Sequence, residues 1–331
     1  MNPILLSDEL RGIFTMKFAT IGHFLVHENI SMFPKSWIHG NLIVSPELDV
    51  NGTKGHITGI TLTAQEMMNA PLEKVRKIIL DAAVLLQDEF GVDLIQLGAL
   101  TTSVTNGGDW VVQQKDYTGF VNHGDSYTAA VTCQATLKAL KLFQKNPSDQ
   151  VLAIIGAYGI IGEAVSKILV PKFQHSILIG RKQEKFKKLE KNLKGDFKTT
   201  VELKTKEADI IVTATSHPTA LLQSEHLKKH TIVIDVSQPP NLASDICKQR
   251  PDVCRIDGGL VNFPVKIVIP GIPPGKNFAC IAEVIMQAIE NEQKNHVGSI
   301  DLNYLRKTEK WGEKYGFTLK ELTNFGRLIH K

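Results

Sequence analysis

Residues 151–162 read Val-Leu-Ala-Ile-Ile-Gly-Ala-Tyr-Gly-Ile-Ile-Gly, and this stretch decides the fold of the 331-residue chain. The first five residues form a continuous apolar run, which is typical of a parallel strand buried on both faces. Gly156, Gly159 and Gly162 follow, and then come a helical pattern and a second apolar run, Ser176 to Ile179. This order of strand, glycines, helix and strand predicts a dinucleotide-binding unit.

The three glycines have separate expected roles. Gly156 allows a tight turn, Gly159 lets the backbone approach a pyrophosphate, and Gly162 lets the helix pack closely against the strand. Backbone amides at the start of the helix then hold the phosphates. The cofactor contacts predicted in this loop are those of Gly156, Ala157, Tyr158, Gly159, Ile160, Ile161 and Gly162.

The residues after the second strand indicate which cofactor is bound. Units that bind NAD usually place an Asp or Glu here for the ribose hydroxyls. This chain has Gly180, Arg181 and Lys182 instead, and two cations suit a 2′-phosphate. The sequence therefore predicts NADPH, held by Arg181 and Lys182. The alternative is that both are solvated charges at the start of a helix.

Two further buried strands, Ala208 to Thr213 and Thr231 to Val236, continue the nucleotide-binding pattern. In an open parallel sheet the ligand lies beyond the carboxyl ends of the strands. We therefore expect Thr215 and Asp235 beside the cofactor, and Gly259 near its nicotinamide. Asp235 has a second interpretation, as a carboxylate that caps its own loop.

Composition bounds the class of protein. The length suits about two domains, and 43% hydrophobic residues provide sizeable cores. No stretch approaches a membrane span, and the N-terminal residues lack a signal-peptide pattern, with Asp8 and Glu9 ahead of the first basic residue. These features predict a cytoplasmic protein without a transmembrane segment. The four cysteines lack zinc-ligand spacing and a secretory context, so we expect reduced thiols and no metal site.

The first part of the chain reads as a separate domain of strands and helices. Strand patterns cover Thr15–Leu25, Ile38–Val44, Ile57–Leu62 and Val92–Leu100, and a long helical pattern covers Ala64–Phe90. Thr101, Thr102 and Ser103 follow the last strand and are predicted to line the substrate site, although an ordinary loop has the same composition. His123 and Thr128, around the start of the next helix, complete the predicted substrate side.

Basic residues concentrate between Arg181 and Lys206, where ten Lys or Arg face four acidic residues. Such a run could dock an acidic carrier protein or an anionic membrane surface, but it is more often a solvated helix face. Nucleic acid is not expected as a partner, because no aromatic residues interleave with the charges to stack bases.

Cys280 is the expected nucleophile. A helix is predicted from near Asn277, and its apolar stripe consists of Phe278, Ile281, Ala282, Ile285, Met286 and Ile289. Cys280 lies off this stripe in the first turn, where the helix dipole favours a thiolate. Free cysteines are more often buried structural residues. Glu283 either orients or deprotonates the thiol, or simply favours the N-terminal part of the helix.

Several short segments, in order from near Phe18 to near Phe317, resemble one enzyme family. They are Ile21-Gly22-His23, Leu97-Gly98, Thr128-Ala129, the glycine loop with Arg181, Asp235 with Pro240-Asn241, Gly258-Gly259, Phe278-Ala279-Cys280 with Ala282-Glu283, and Lys314-Tyr315-Gly316-Phe317. Together they resemble the cyanobacterial type of long-chain acyl-[acyl-carrier-protein] reductase. In that family the cysteine that matches Cys280 is the nucleophile that accepts the acyl group.

The resemblance implies NADPH-dependent reduction of a fatty acyl thioester, carried by acyl carrier protein or coenzyme A, to a fatty aldehyde. An aldehyde-consuming enzyme would then be a further partner. The pattern as a whole predicts an α/β fold. A substrate domain at 1–146 precedes a Rossmann-type doubly wound parallel sheet at 147–272. Helices at 273–331 carry Cys280 and return toward the first domain.

The chain departs from the family at two places on the expected substrate side. His123-Gly124-Asp125 stands where Thr-Gly-Asn is usual, and Thr101-Thr102 stands where Phe and Ser are usual. The length of the acyl group and its carrier therefore stay open.

Two alternatives remain on the sequence alone. A shikimate- or amino-acid-type dehydrogenase shares this plan but moves hydride without a covalent intermediate, typically with a Lys–Asp pair in its first domain. An NADPH-binding protein without catalysis would keep only the glycine loop.

Overall fold

The computed structural model describes residues 15–24, 28–217, 219–265 and 272–329. The end of the first predicted strand, Leu25, and the acidic pair Asp8 and Glu9 lie outside these residues. The chain divides into two compact units. Unit 1 comprises Met1–Gly124 and Cys280–Ser299, and unit 2 comprises Asp125–Ala279 and Ile300–Lys331.

Unit 1 is organised around a mixed sheet. Its strands are β1 (Phe18–Phe24), β2 (Ile38–His39), β3 (Leu42–Val44), β4 (Leu48–Val50), β5 (Thr53–His56), β6 (Thr58–Thr63), β7 (Leu94–Leu97) and β8 (Phe120–Asn122). β1 pairs in parallel with β5, β6 and β7, and β7 pairs in parallel with β8. The carboxyl ends of β1, β7 and β8 therefore meet at one edge of the sheet.

Short helices and one long helix complete the first part of unit 1. They are α1 (Glu28–Ser31), α2 (Ala64–Asn69), α3 (Leu72–Phe90), α4 (Leu100–Val104) and α5 (Asp109–Val112). α3 buries a stripe at helical spacing, Val75, Ile79 and Leu86, in the same core cluster as Ile21 and Leu97.

Two predicted elements of unit 1 are divided in the structure. The predicted strand 38–44 is the hairpin of β2 and β3, because Gly40 adopts a φ of +59° and turns the chain. The predicted helix 64–90 is α2 followed by α3. Pro71 disfavours a helical conformation at Ala70, which has an extended ψ of 153°, and Pro71 itself precedes the first turn of α3.

Unit 2 contains the remaining strands. They are β9 (Val151–Ile155), β10 (His175–Ile179), β11 (Phe197–Thr200), β12 (Ile210–Thr213), β13 (Ile232–Asp235), β14 (Cys254–Asp257), β15 (Leu260–Asn262), β16 (Lys276–Phe278), β17 (Thr323–Asn324) and β18 (Arg327–Leu328). Six of them form a parallel sheet in the order β11-β10-β9-β12-β13-β14. This order confirms the predicted α/β fold with a doubly wound sheet, whose switch point lies between β9 and β12.

The helices that follow are α6 (Asp125–Leu142), α7 (Ile160–Leu169), α8 (Phe186–Glu190), α9 (Ser244–Gln249), α10 (Ala279–Ile289) and α11 (Leu302–Tyr315). Single 3-10 turns occur at Lys35–Trp37, Pro147–Asp149, Val170–Lys172, Gln183–Lys185 and Ser224–His226. No helix among the residues described above is long and apolar enough to cross a bilayer.

The two units cross the predicted domain limits. α6, predicted to end the first domain, packs against α7 and α11 within unit 2. The predicted segment 273–331 is divided, since Cys280–Ser299 belongs to unit 1 and α11 belongs to unit 2. The helix expected from near Asn277 begins at Ala279, because Lys276–Phe278 pairs with Leu260–Asn262 as an antiparallel strand.

A buried ionic network joins the C-terminal hairpin of β17 and β18 to the parallel sheet. Arg255 on β14 is 2% exposed, and its Nε donates to Asp235 Oδ2 at 3.1 Å. Its Nη1 donates to Asp257 Oδ1 at 2.7 Å. Asp257 also accepts hydrogen bonds from the Thr323 hydroxyl and the Gly326 amide, each at 2.8 Å. One guanidinium thus bonds to two buried carboxylates, of which Asp257 holds the hairpin.

Replacing Arg255 by Met would leave both carboxylates buried without their shared cation. We expect Arg255→Met to lower the free energy of unfolding by about 3–5 kcal/mol, the range for removing one partner of a buried ion pair. Urea unfolding at pH 7, followed by circular dichroism, measures this loss. Lys248→Met is the matched control. The side chains of its pair with Asp245 are 76% and 78% exposed, and losing such a pair costs at most about 1 kcal/mol. Similar losses in the two variants would contradict the structural role of Arg255.

Candidate functional site

The loop between β9 and α7 has a backbone that requires glycine at two positions. Gly156 has a φ of +85°, and its amide donates to the Ile179 carbonyl at 2.8 Å. A Cβ on Gly156 would collide with the Ala214 backbone, and a Cβ on Gly162 would collide with the Gly156 carbonyl. α7 starts directly after Gly159, so the first amides of the helix adjoin the loop. A helix start against a close backbone turn fits a pyrophosphate.

Two exposed cations follow β10, as the sequence predicts. Arg181 and Lys182 are both exposed, and the Lys182 amide donates to the Tyr158 hydroxyl at 2.8 Å. The glycine loop and the segment after β10 are therefore linked directly. These groups fit a phosphorylated dinucleotide, while the choice of NADPH stays a prediction.

The segments after β12 and β13 are also linked to each other. The Thr215 hydroxyl donates to Asn241 Oδ1 at 2.8 Å. Asp235 is buried, and its Oδ1 accepts from the Thr213 hydroxyl at 2.6 Å and from the Asn241 amide at 3.2 Å. Its Oδ2 accepts from the Leu242 amide and from Arg255. These bonds match the second interpretation of Asp235, in which the carboxylate organises its own loop, and a contact with the cofactor stays a prediction.

Unit 2 brings together one residue predicted on the substrate side and one predicted on the cofactor side. A Cβ on Gly259 would lie 3.5 Å from the methyl group of Thr128. The Thr132 hydroxyl, one turn further along α6, donates to the Gly258 carbonyl at 3.1 Å. The Ala279 amide donates to the Gly259 carbonyl at 2.9 Å. The two glycines are thus fixed between α6 and the residue that begins α10.

In unit 1, Cys280 lies in the first turn of α10, as predicted. Within the described run 279–288, Cys280 is the residue that is partly exposed, and its neighbours are buried. Glu283, one turn further along the helix, is fully buried. The helix is therefore partly exposed at Cys280 and buried from Ile281 to Ala288.

Gly124, two residues after β8, packs on the backbone of Cys280. Gly124 has a φ of +70°, and a Cβ there would lie 2.7 Å from Cys280 Cα and 2.8 Å from its carbonyl oxygen. The Gly124 amide donates to Asn122 Oδ1 at 2.5 Å, and Asn122 Nδ2 donates to Gln287 Oε1 at 2.6 Å. Gln287 in turn donates to the carbonyls of Glu292 and Lys294 at 2.8 Å. A chain of hydrogen bonds thus fixes Gly124 against the start of α10.

His123 is buried beside this contact and is held neutral. Burial, followed by the nearby His296, lowers the pKa of His123 to about 3 from 6.5, against the effect of a hydrogen bond with the backbone of Gly298. His123 therefore carries no charge near neutral pH. Its predicted contact with substrate stays a prediction.

The hydroxyls after β7 have structural partners. The predicted strand Val92–Leu100 is shorter in the structure, where β7 ends at Leu97. Leu100, the predicted end of this strand, and the next four residues, predicted as a polar loop, form α4. The Thr101 hydroxyl donates to the carbonyls of Ile21 and Gly98 at 2.8 and 2.9 Å, and the Thr102 hydroxyl donates to the Leu97 carbonyl at 2.7 Å. Both threonines are buried, whereas Ser103 is exposed. Their predicted role in the substrate site stays a prediction, and these hydrogen bonds favour the alternative of an ordinary structural turn.

The three other cysteines lie in unit 2. Burial raises the pKa of the Cys133 and Cys247 thiols and raises that of Cys254 to about 11. These thiols are protonated at neutral pH and poorly suited to nucleophilic attack.

The sequence did not predict the residues that hold His123 and Gly124 in unit 1, namely Asn122, Gln287, His296 and Gly298. Asn122 and His123 at the end of a buried strand were the local signal for one side. The other side comes from residues more than 150 positions later in the chain, and no local pattern joins the two.

Comparisons with known proteins agree with dinucleotide binding by unit 2. A family model described as shikimate / quinate 5-dehydrogenase matches residues 138–257, all within unit 2. The aminotransferase PigE of a Serratia species is 25% identical over 294 residues, which cover 84% of this chain and 34% of that protein. The chain thus spans about a third of the length of this relative.

The long-chain acyl-[acyl-carrier-protein] reductase of Synechococcus elongatus is 27% identical over 246 residues, which cover 69% of this chain and 71% of that enzyme. L-tryptophan dehydrogenase from Nostoc punctiforme is a similar solved structure, with 13% identity, a TM-score of 0.43, and coverage of 92% of this chain and 80% of that chain. The family model and the reductase together support an NAD(P)-dependent oxidoreductase of the dehydrogenase or reductase type, with a nicotinamide cofactor.

Gly124→Ala should disturb the contact between Gly124 and Cys280. The new Cβ meets the Cys280 backbone at a positive φ, so we expect a loss of about 2–4 kcal/mol in the free energy of unfolding. Gly91→Ala is the matched control. Gly91 also has a positive φ of +63°, but a Cβ there would meet no heavy atom within 4 Å. The loss in its free energy of unfolding should therefore be about 1–2 kcal/mol. Urea unfolding and the alkylation rate of Cys280, followed by peptide mass, measure both effects. An unchanged alkylation rate in Gly124→Ala would contradict the contact.

His123 should make the protein sensitive to acid. Its pKa is lower in the folded state than the ordinary 6.5, so its contribution to stability is complete above pH 6.5 and is lost as pH falls toward 3. Between pH 8 and 5 this loss amounts to about 2 kcal/mol. Unfolding at both pH values should show a smaller pH dependence in His123→Gln. Equal pH dependence in the variant and the parent protein would overturn the assignment.

Proposed function

We propose that this protein uses NADPH to reduce a fatty acyl thioester, carried by acyl carrier protein or coenzyme A, to a fatty aldehyde through an acyl-enzyme on Cys280. The observation that carries this proposal is the position of Cys280, a partly exposed thiol in the first turn of an otherwise buried helix. The other three thiols are held protonated by burial, so Cys280 suits the role of nucleophile best.

In the proposed reaction the Cys280 thiolate attacks the thioester carbonyl, and the carrier thiol leaves with a proton. The new thioester holds the acyl group on Sγ. NADPH, which Gly156, Gly159, Gly162 and Arg181 would hold, would supply the hydride for the acyl carbon. The hemithioacetal on Cys280 then breaks its carbon–sulfur bond, which releases the aldehyde and regenerates the thiol.

Negative charge develops on the acyl oxygen in both steps and needs hydrogen-bond donors. We propose that the Ile281 amide in the first turn of α10 supplies one of them, because the first amides of a helix lack acceptors within it. The Ala279 amide is not available, since it donates to the Gly259 carbonyl. The hydroxyls of Thr101 and Thr102 are less suited, since they already donate to backbone carbonyls.

Glu283 is the residue predicted to assist the Cys280 thiol in catalysis. It lies one turn after Cys280 on α10 and is fully buried. We propose that its carboxylate orients or deprotonates the thiol. The alternative is that it only stabilises the N-terminal part of the helix.

The carrier and any partner enzyme are further proposals. The exposed lysines around α8 give unit 2 a basic surface, and opposite charge would attract an acidic carrier protein. An enzyme that consumes the aldehyde would act next.

The second candidate is a shikimate- or amino-acid-type dehydrogenase that transfers hydride without a covalent intermediate. The comparisons by themselves back this candidate better, because the matching family model is that of a shikimate or quinate dehydrogenase. The geometry of Cys280 is what favours the thioester reaction. Such dehydrogenases typically use a Lys–Asp pair in the first domain. The Lys77–Asp81 pair of unit 1 lies on α3, and its side chains are 74% and 59% exposed, which is typical of a solvated helix pair.

Intact-protein mass after mixing with palmitoyl-coenzyme A, without cofactor, separates the two candidates. We expect one added acyl group on the parent protein and on Cys254→Ala, the matched control, but none on Cys280→Ala. Addition of NADPH should discharge the adduct as aldehyde. Cys280→Ala should lower the turnover rate by more than about a thousandfold.

The second candidate predicts a different result. The protein would form no adduct with coenzyme A or carrier-protein thioesters, and it would oxidise a hydroxy or amino acid with NADP or NAD.

A further inference from the structure

Tyr158 lies in the glycine loop but contacts the segment that follows β10. Its hydroxyl accepts a hydrogen bond from the Lys182 amide at 2.8 Å. Its ring covers Gly180, because a Cβ on Gly180 would lie 2.9 Å from Tyr158 Cδ1 and closer still to Cε1. Glycine at position 180 is therefore what lets the ring reach the end of the strand.

The ring is also held from its other side. Phe186, fully buried at the start of α8, makes an edge contact with it, with ring centroids 5.1 Å apart and planes at 75°. The Gly180 amide donates to the Thr200 carbonyl at 3.2 Å, which ties the same point to β11. Tyr158 thus joins three elements at the place where the sequence predicts recognition of the cofactor's ribose.

A cavity of about 490 Å³ opens beside this ring. Four lysines line it, namely Lys185, Lys187, Lys188 and Lys191. Lys185 Nζ lies 5.7 Å from the centroid of the Tyr158 ring, so a cation is held next to the hydroxyl-bound segment. Glu163 and Glu184 are the carboxylates among the lining residues, which leaves an excess of positive charge. A phosphate is small enough for this space and matches its charge.

We propose that Tyr158 is a positioning residue that makes the protein prefer cofactors with a ribose 2′-phosphate. It fixes the backbone of residues 180–182, so that Arg181 and Lys182 face the phosphate in one arrangement, and Lys185 adds charge from the cavity. Ordering this exposed segment before binding lowers the entropy lost when the phosphate is bound. This inference rests on the NADPH part of the proposed function and is independent of the thioester chemistry.

Tyr158→Phe tests the proposal, because it keeps the ring and removes the hydroxyl. Cofactor fluorescence gives the Kd of NADPH and NADH, and calorimetry gives the Kd of 2′,5′-ADP and 5′-AMP. We expect the Kd of the two 2′-phosphorylated ligands to rise about fivefold to tenfold, the value of one hydrogen bond. The Kd of NADH and 5′-AMP should stay within about twofold. The thermal midpoint should fall by about 4 °C or less, since one hydrogen bond is lost and the ring contacts remain.

Two lysine variants complete the test. Lys185→Gln should weaken NADPH binding, leave NADH binding unchanged, and reduce the salt dependence of NADPH binding. Lys194→Gln is the matched control, because Lys194 is exposed in the same basic segment but does not line the cavity.

Equal weakening of the phosphorylated and unphosphorylated ligands in Tyr158→Phe, or no change at all, would overturn the proposal. A parent protein that binds NADH as tightly as NADPH would overturn it as well. Binding is measured without substrate, so a failure of the thioester reaction leaves the result intact.

Discussion

The close approach of two backbones at Gly156 and Gly162 is the constraint on which unit 2 depends. The strand β9 ends at Ile155, and the helix α7 begins at Ile160 after a short loop. The Gly156 carbonyl occupies the space that a side chain at position 162 would need. Because the helix can lie this near the sheet, its first amides reach the switch point between β9 and β12. The predicted dinucleotide site of unit 2 follows from that one contact.

A second backbone contact has the same role in unit 1. Gly124, at the carboxyl end of β8, packs on the first turn of α10 and gives Cys280 its fixed position. The amide of Gly124 is held by Asn122, and Asn122 is held by Gln287 on the same helix. Since this network is buried, each of its polar groups needs its partner, and the thiol is placed by hydrogen bonds rather than by apolar packing alone.

Polar side chains that follow strands have structural partners in both units. Asp235 and Thr101 stand at the ends of strands, where ligands usually bind, yet their oxygen atoms are engaged by neighbouring backbone and side chains. Tyr158, which an apolar or small residue could replace in a glycine loop, instead reaches across to the segment after β10. Position at a strand end is therefore a weaker indication of function than the direction in which a hydrogen bond points.

The sequence by itself determined the parallel sheet, the glycine loop, the two cations after β10 and the place of Cys280 in the first turn of a helix. These features depend on apolar runs, glycine spacing and helical periodicity, which act over a few residues. The tertiary structure alone decided that α6 belongs to unit 2 and that Cys280–Ser299 belongs to unit 1. It also decided that Arg255 forms ion pairs with both Asp235 and Asp257. These outcomes depend on contacts between residues far apart in the chain, whose burial and partners no local pattern records.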